Sequence, residues 1–268
     1  MESTDSMFRQ RVKGHVENNY DGPGVRALFS KLDGTDINSN TYEIPVQRDP
    51  EPPSKVAEGE EFPGRETELE TIEVTAEKFG FQVGKDENDD EDILDRVDKF
   101  YNVIALNAVS EIYDNLDTEV EVSGSRINII RDAIFSAGPE VPYGKIDTVV
   151  LSDVLAESIE ESQPARDWGD IRDDLEEEYE IRIIVDQFNV LRGSDVIVAN
   201  SSRLGYEFVR SNVEVKVYEE FKDHYPARWE TVPEEDRTVR DEIAMVWKRL
   251  AFVVVDENAG KIVHFVQV

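Results

Sequence analysis

Apolar residues recur along this chain with more than one period, and the places where the period changes mark out the elements. Tyr42, Ile44 and Val46 alternate with polar residues, as do Ile72, Val74 and Ala76, after which the phase slips to Phe79, Phe81 and Val83. Such alternation puts one face of a strand on a core and the other in water, and the slip at Glu77 and Lys78 predicts a bulge. Between the first two strands, 48–65 carries Pro50, Pro52, Pro53, Gly59, Pro63 and Gly64, which rules out regular structure there. From Asp33 to Asp92 only 14 of 60 residues are apolar and 19 are Asp or Glu, too few apolar groups for a core. A hairpin of that length is marginal alone in water, so it is expected to lie on something, with a neighbouring copy of the chain as the natural partner.

A helical period follows. Ile93, Val97, Phe100, Ile104, Ala108, Ile112 and Leu116 recur at three- to four-residue steps and predict a helix over 90–116, started by Asp89 or Asp90 and favoured by Glu91 and Asp92 at its positive end. From 126 to 202 the pattern turns mixed: helix over 127–135, strand over 147–151, helix over 152–161 with Ser152 as its cap, acidic helix over 170–179, and short strands at 181–185 and 196–199. In the tail, Val213, Val215 and Val217 predict a strand, 225–236 a loop, 238–247 a return that also fits a helix but is read as a hairpin arm, then strands at 250–255 and 262–268 around the Asn258-Ala259-Gly260 turn. Residues 1–40 show no sustained period and read as an arm with one helical turn.

Composition changes the picture through charge. Against 29 Lys and Arg stand 60 Asp and Glu, a formal charge of -31 over 268 residues. No basic stripe appears in the sequence, which excludes gripping nucleic acid through a basic surface. With 12 Phe, 9 Tyr and 3 Trp the chain should nevertheless fold. The acids are spread over every segment, and 18 Arg outnumber 11 Lys, a pattern suited to molar salt, where the screening length falls to about 3 Å and like-charge repulsion fades. A halophilic source is expected, with non-specific cations on the acidic surface and no bound cofactor. The longest apolar run, Leu250 to Val255, is far short of the roughly twenty residues of a membrane span, and no secretory signal is visible. Cysteine is absent, which removes thiolate chemistry and Cys-based metal sites.

Catalytic signals are missing. His15, His224 and His264 stand far apart with no helical pair, which favours surface or edge positions over a metal or triad role. Gly22-Pro23-Gly24-Val25-Arg26-Ala27 matches a dinucleotide fingerprint only formally, since no strand precedes it. Asp86, Asn88 and Asp90 begin like a calcium loop that then fails at Glu91 and Val97. Neither metal nor catalytic residues are expected, and a structural role is favoured.

The order of arm, extended acidic hairpin, long helix, compact α/β unit and returning strand pair resembles the major capsid proteins of tailed phages and tailed archaeal viruses, with their Hong-Kong-97-type fold. Lys55-Val56-Ala57-Glu58-Gly59-Glu60-Glu61-Phe62-Pro63 is similar to the family's E-loop, and Val74 to Phe79 to its return strand. Gly205-Tyr206-Glu207 looks like the turn into the long peripheral strand, and Leu250-Ala251-Phe252-Val253 like the closing segment. The resemblance implies an α+β capsid fold with an N-terminal arm (1–40), an E-loop hairpin (41–84), a peripheral domain with its spine helix (85–125), an axial domain (126–204), peripheral long strands (205–249) and C-terminal strands returning to the axial domain (250–268). It implies contacts between subunits at Lys55, Glu58, Glu60, Phe62 and Arg65 in the E-loop and at Tyr225, Arg228 and Trp229 in the loop between the long strands.

On that resemblance the chain is not an enzyme. It builds hexamers and pentamers of an icosahedral head around double-stranded DNA, assembled in the host cytoplasm without sequence-specific binding or a membrane. Scaffold, portal and accessory head proteins are the implied partners, the scaffold as a separate protein because 1–40 is too short to hold one. No isopeptide cross-link is expected, although Lys55 with Asn200 or Asn212 would be the pairs to form it. Two rivals stand beside this reading: an encapsulin-type compartment shell, and a halophilic α/β enzyme or ligand-binding protein centred on 126–202.

Overall fold

The long helix predicted from the apolar stripe is the axis about which the molecule is arranged. A computed structural model describes residues 7–18, 24–37, 39–47, 69–84, 90–121, 126–137, 145–218 and 243–266. Helix α2 (Asp90–Asn115) buries Ile93, Val97, Phe100, Tyr101, Ile104, Ala108 and Ile112 along one side, as the three- to four-residue spacing requires. Its acidic residues Asp92, Asp95 and Asp98 face water.

Two sheets flank the helix. The first has the order β1 (Ser30–Asp33), β9 (Gly205–Tyr218), β10 (Ile243–Val254), β4 (Glu77–Gly84), antiparallel except for β1 on β9. Strand β10 buries Ala244, Val246, Lys248, Leu250, Phe252 and Val254 at every second position, so period two, not 3.6, governs the return and the hairpin reading holds. The strand runs unbroken across the division expected at 249/250.

The second sheet has the order β5 (Thr118–Glu121), β11 (Gly260–Phe265), β8 (Asp195–Ala199), β6 (Thr148–Ser152), β7 (Arg182–Asp186). Both of its faces are covered, which explains why its strands read as continuous apolar runs. Val150, Ile184, Ile197 and Ile262 join the core with α2, while Val149, Leu151, Ile183, Val196, Val198 and Val263 meet α3 (Ile129–Ala137), α4 (Asp153–Glu161) and α5 (Trp168–Tyr179) on the other side. Ser152 caps α4 as expected, its Oγ accepting from the Leu155 amide at 3.3 Å and donating to the Gly193 carbonyl at 2.8 Å. The remaining short helix, α6 (Ser201–Leu204), turns the chain from this sheet into β9.

The structure departs from the sequence reading at three places. The segment expected as an arm with one helical turn contains α1 (Met7–Asn18), whose Phe8, Val12 and Val16 are buried at four-residue steps against the core, with Tyr101 of α2 donating its hydroxyl proton to the Val16 carbonyl at 3.0 Å. The phase slip at Glu77 is not a bulge but a change of sheet. Strand β3 (Leu69–Thr75) pairs with β2 (Thr41–Gln47), Ala76 turns inward, and β4 continues along β10. Finally, β5, four residues after α2 that lay with the spine in the sequence reading, is the edge of the second sheet, parallel to β11.

Candidate assembly site

The hairpin that composition left without a core is antiparallel from Thr41 opposite Thr75 to Gln47 opposite Leu69. Its alternation resolves into one apolar face, on which Ile44 and Val74 are buried, and one exposed face with Glu43, Pro45, Thr71 and Glu73. The apolar face sits on its own chain. Phe208, fully buried, stacks on Tyr42 with ring centroids 5.5 Å apart, and Val253 and Ala251 of β10 complete the contact. Gly34 makes room for that ring: a Cβ there would stand 2.2 Å from it. The expectation that the hairpin needs a neighbouring copy is thus corrected for its base, because bulky residues of β9 and β10 far along the sequence supply the missing core.

Of the residues expected at contacts between subunits, Lys55, Glu58, Glu60, Phe62 and Arg65 fall in 48–68, and Tyr225, Arg228 and Trp229 fall in 219–242. All eight lie outside the described residues. So do Asp86 and Asn88 of the calcium-like loop and the first two residues of the Gly22-Pro23-Gly24 turn, of which the described part continues as a 3₁₀ turn over Val25–Leu28. The described segments 41–47, 69–84, 205–218 and 243–254 form the platform from which both undescribed stretches depart.

A charge cluster inside the platform escaped the sequence reading. Arg26 Nη2 donates to Glu207 Oε1 at 2.6 Å, and Lys248 Nζ donates to the same oxygen at 3.2 Å. Glu207 and Lys248 are essentially without solvent contact. Burial pushes the Glu207 carboxyl up, but the charges of Arg26 and Lys248 outweigh it and hold the group below its ordinary value. The cluster fastens the end of the arm to both long strands. Nearby, Glu111 of α2 accepts the Val254 amide at 3.0 Å, and burial raises that carboxyl.

In the second sheet lies another polar group. His264 Nδ1 is 2.6 Å from Asp195 Oδ1 and 3.3 Å from Ser194 Oγ, and Tyr113 donates its hydroxyl proton to Asp195 Oδ2. Burial and then the Asp195 carboxylate raise the Tyr113 phenol. Serine and aspartate meet the same ring nitrogen, so the imidazole cannot pass a proton between them, which a catalytic triad requires. His264 is half-buried on β11, an interior strand between β5 and β8, which corrects the expected surface or edge position and gives it a structural duty, tying β11 to β8 and α2. The adjoining cleft, about 630 Å³, is lined by Arg126, Glu157, Glu161 and Val266 among others. Among the described residues no group of three or more His, Asp or Glu is placed to hold a metal ion, and no helix is long and apolar enough to cross a membrane.

No protein-family model and no curated protein sequence matches the chain. Solved structures do. A virus-like particle protein from Pyrococcus furiosus superposes with a TM-score of 0.62 at 12% identity, over 96% of this chain and 97% of its own. A structure of Phage G major capsid and decoration proteins matches with a TM-score of 0.56 at 11% identity, over 99% of this chain and 93% of that one. One from Mycobacterium phage Cain matches at 0.59 and 15% identity, over 92% and 91%. The chain therefore has the Hong-Kong-97-type capsid fold, an α+β architecture.

Proposed function

We propose that this chain is the major capsid protein of a tailed virus, assembling as hexamers and pentamers into an icosahedral head around double-stranded DNA. One observation carries the reading: the fold match to a virus-like particle protein and to a phage major capsid structure spans nearly the whole chain and nearly the whole of each neighbour. The role is structural and the location is the virion capsid, reached by assembly in the host cytoplasm with scaffold, portal and accessory head proteins as partners. The host is halophilic, since a charge of -31 on a chain of this size is best tolerated where salt screens it. A genome enclosed by so acidic a protein is retained by confinement and cations, not by direct charge pairing. Particles purified from molar potassium chloride and treated with nuclease test this reading: protected double-stranded DNA is expected, and shells that enclose a protein cargo and no nucleic acid would favour the compartment alternative.

A further inference from the structure

The sequence shows no basic stripe, yet the fold makes a basic patch. On the face of the first sheet turned away from α2, β4 presents Lys78, Gly80 and Gln82, β10 presents Met245, Trp247 and Arg249, and β9 presents Arg210, Asn212, Glu214 and Lys216. Among the described residues of these three strands, four cations and one acid share this face, in a chain whose acids outnumber its bases by 60 to 29. The residues come from three strands far apart in sequence, which is why no run of basic residues announces them.

The patch has a built centre. Lys78 Nζ stands 4.6 Å from the ring of Trp247 and Lys216 Nζ stands 5.4 Å from it, so ammonium groups from β4 and β9 bracket one indole. Gly80 lies directly opposite Trp247 in the ladder, and a Cβ there would meet the Val246 carbonyl at 2.6 Å and the Trp247 Cβ at 2.9 Å. Arg249 reaches the Asn40 side chain at 3.2 Å, and Arg210 donates to the Thr35 and Ser39 carbonyls, which ties this edge of the patch to those three residues. Trp and Arg are the residue types enriched at interface centres, and this face gathers Trp247, Arg210 and Arg249 on neighbouring strands.

We infer that this face is an interaction surface for an acidic surface of a second copy of the chain. Charge complementarity selects the occupant. Every copy is strongly acidic, and α5 alone presents exposed Asp170, Glu177 and Glu178. Surface attraction over distance is lost in molar salt, but contact pairs desolvated around an indole persist and apolar contact strengthens, so a patch of this composition works in the conditions that the rest of the chain is suited to. The inference rests on the assembly reading and names a surface that serves it.

The test joins a footprint on the wild-type protein to one variant. Acetylation of Lys78 and Lys216 is compared between dissociated protein, empty particles and DNA-filled particles. In parallel, Lys78→Glu/Lys216→Glu is assembled beside wild type in molar potassium chloride. Protection of both lysines in empty particles is expected, with a rise of at least about tenfold in the concentration the variant needs to assemble, since like charges placed across an interface cost several kcal/mol. A variant that folds and assembles at the wild-type concentration overturns the inference and leaves the capsid reading standing. Protection seen only in DNA-filled particles overturns it in favour of nucleic acid as the occupant. A wild-type chain that never associates removes the capsid reading and this surface with it.

Discussion

Glu207→Gln isolates the charge cluster under the platform, because the substitution keeps the side chain's shape and removes only its charge. Arg26 and Lys248 stand 2.6 and 3.2 Å from one carboxylate oxygen, attractions of about 6 and about 5 kcal/mol at an effective dielectric near 20, largely spent on removing all three groups from water. Once the carboxylate is neutralised, both cations lose its attraction, and the expected loss of stability is about 3–5 kcal/mol. For a chain of this size that lowers Tm by roughly 10 °C. Lys248→Met is the contrasting variant: it leaves one anion facing one cation in a similar volume, so its cost is expected to be small. Thermal unfolding by circular dichroism in molar potassium chloride reads both, and because the cluster is buried the difference from wild type persists at high salt. The acid limb carries a second signature. Glu207 is held below its ordinary value of 4.5, so its contribution is fully present above that pH and drains away as the pH falls through the depressed value. Wild type and Glu207→Gln therefore converge in acid. A Glu207→Gln protein melting within about 2 °C of wild type, or a Lys248→Met protein equally damaged, would refute this account of the cluster.

Other outcomes follow from the same structure. Gly205→Ala, which would place a Cβ 2.1 Å from the Val253 carbonyl, is expected to yield insoluble protein, whereas Gly193→Ala, with nothing within 4 Å, expresses normally; equal solubility of the two counts against the close approach of β9 to β10. Ser152→Ala removes the cap of α4 and the bond to Gly193, a loss of about 1 kcal/mol measurable by chemical denaturation. Raising potassium chloride from 0.1 M to about 2 M is expected to raise Tm steadily by relieving repulsion among surface carboxylates, and a flat or falling Tm would remove the case for a halophilic source.

The parts of the fold visible in the sequence are those whose pattern is local. The stripe on α2, the Ser152 cap and the two-sided strands of the second sheet each announce themselves within a dozen residues. Helix α1 was hidden because Phe8, Val12 and Val16 supply only one apolar residue per turn, too thin a stripe beside Arg9, Arg11 and Lys13. The parallel pairs β1 with β9 and β5 with β11 involve four-residue edge strands, whose partners only the assembled sheet reveals. The slip at Glu77 was visible but ambiguous, since a bulge and a change of sheet produce the same shift of phase. The ion cluster and the basic patch were illegible for one reason: Arg26 and Glu207 are 181 positions apart, and the cations of the patch sit on three strands. Within the candidate site the hairpin base was readable as strands, but its docking on Phe208 and Val253 required the fold.

Sedimentation velocity of the purified chain in molar potassium chloride, with negative-stain microscopy of the fastest fraction, addresses the central claim most directly. The capsid account predicts ring-shaped oligomers and closed icosahedral shells of uniform diameter. A well-folded species that sediments as a single 30.6 kDa chain at every concentration would contradict it.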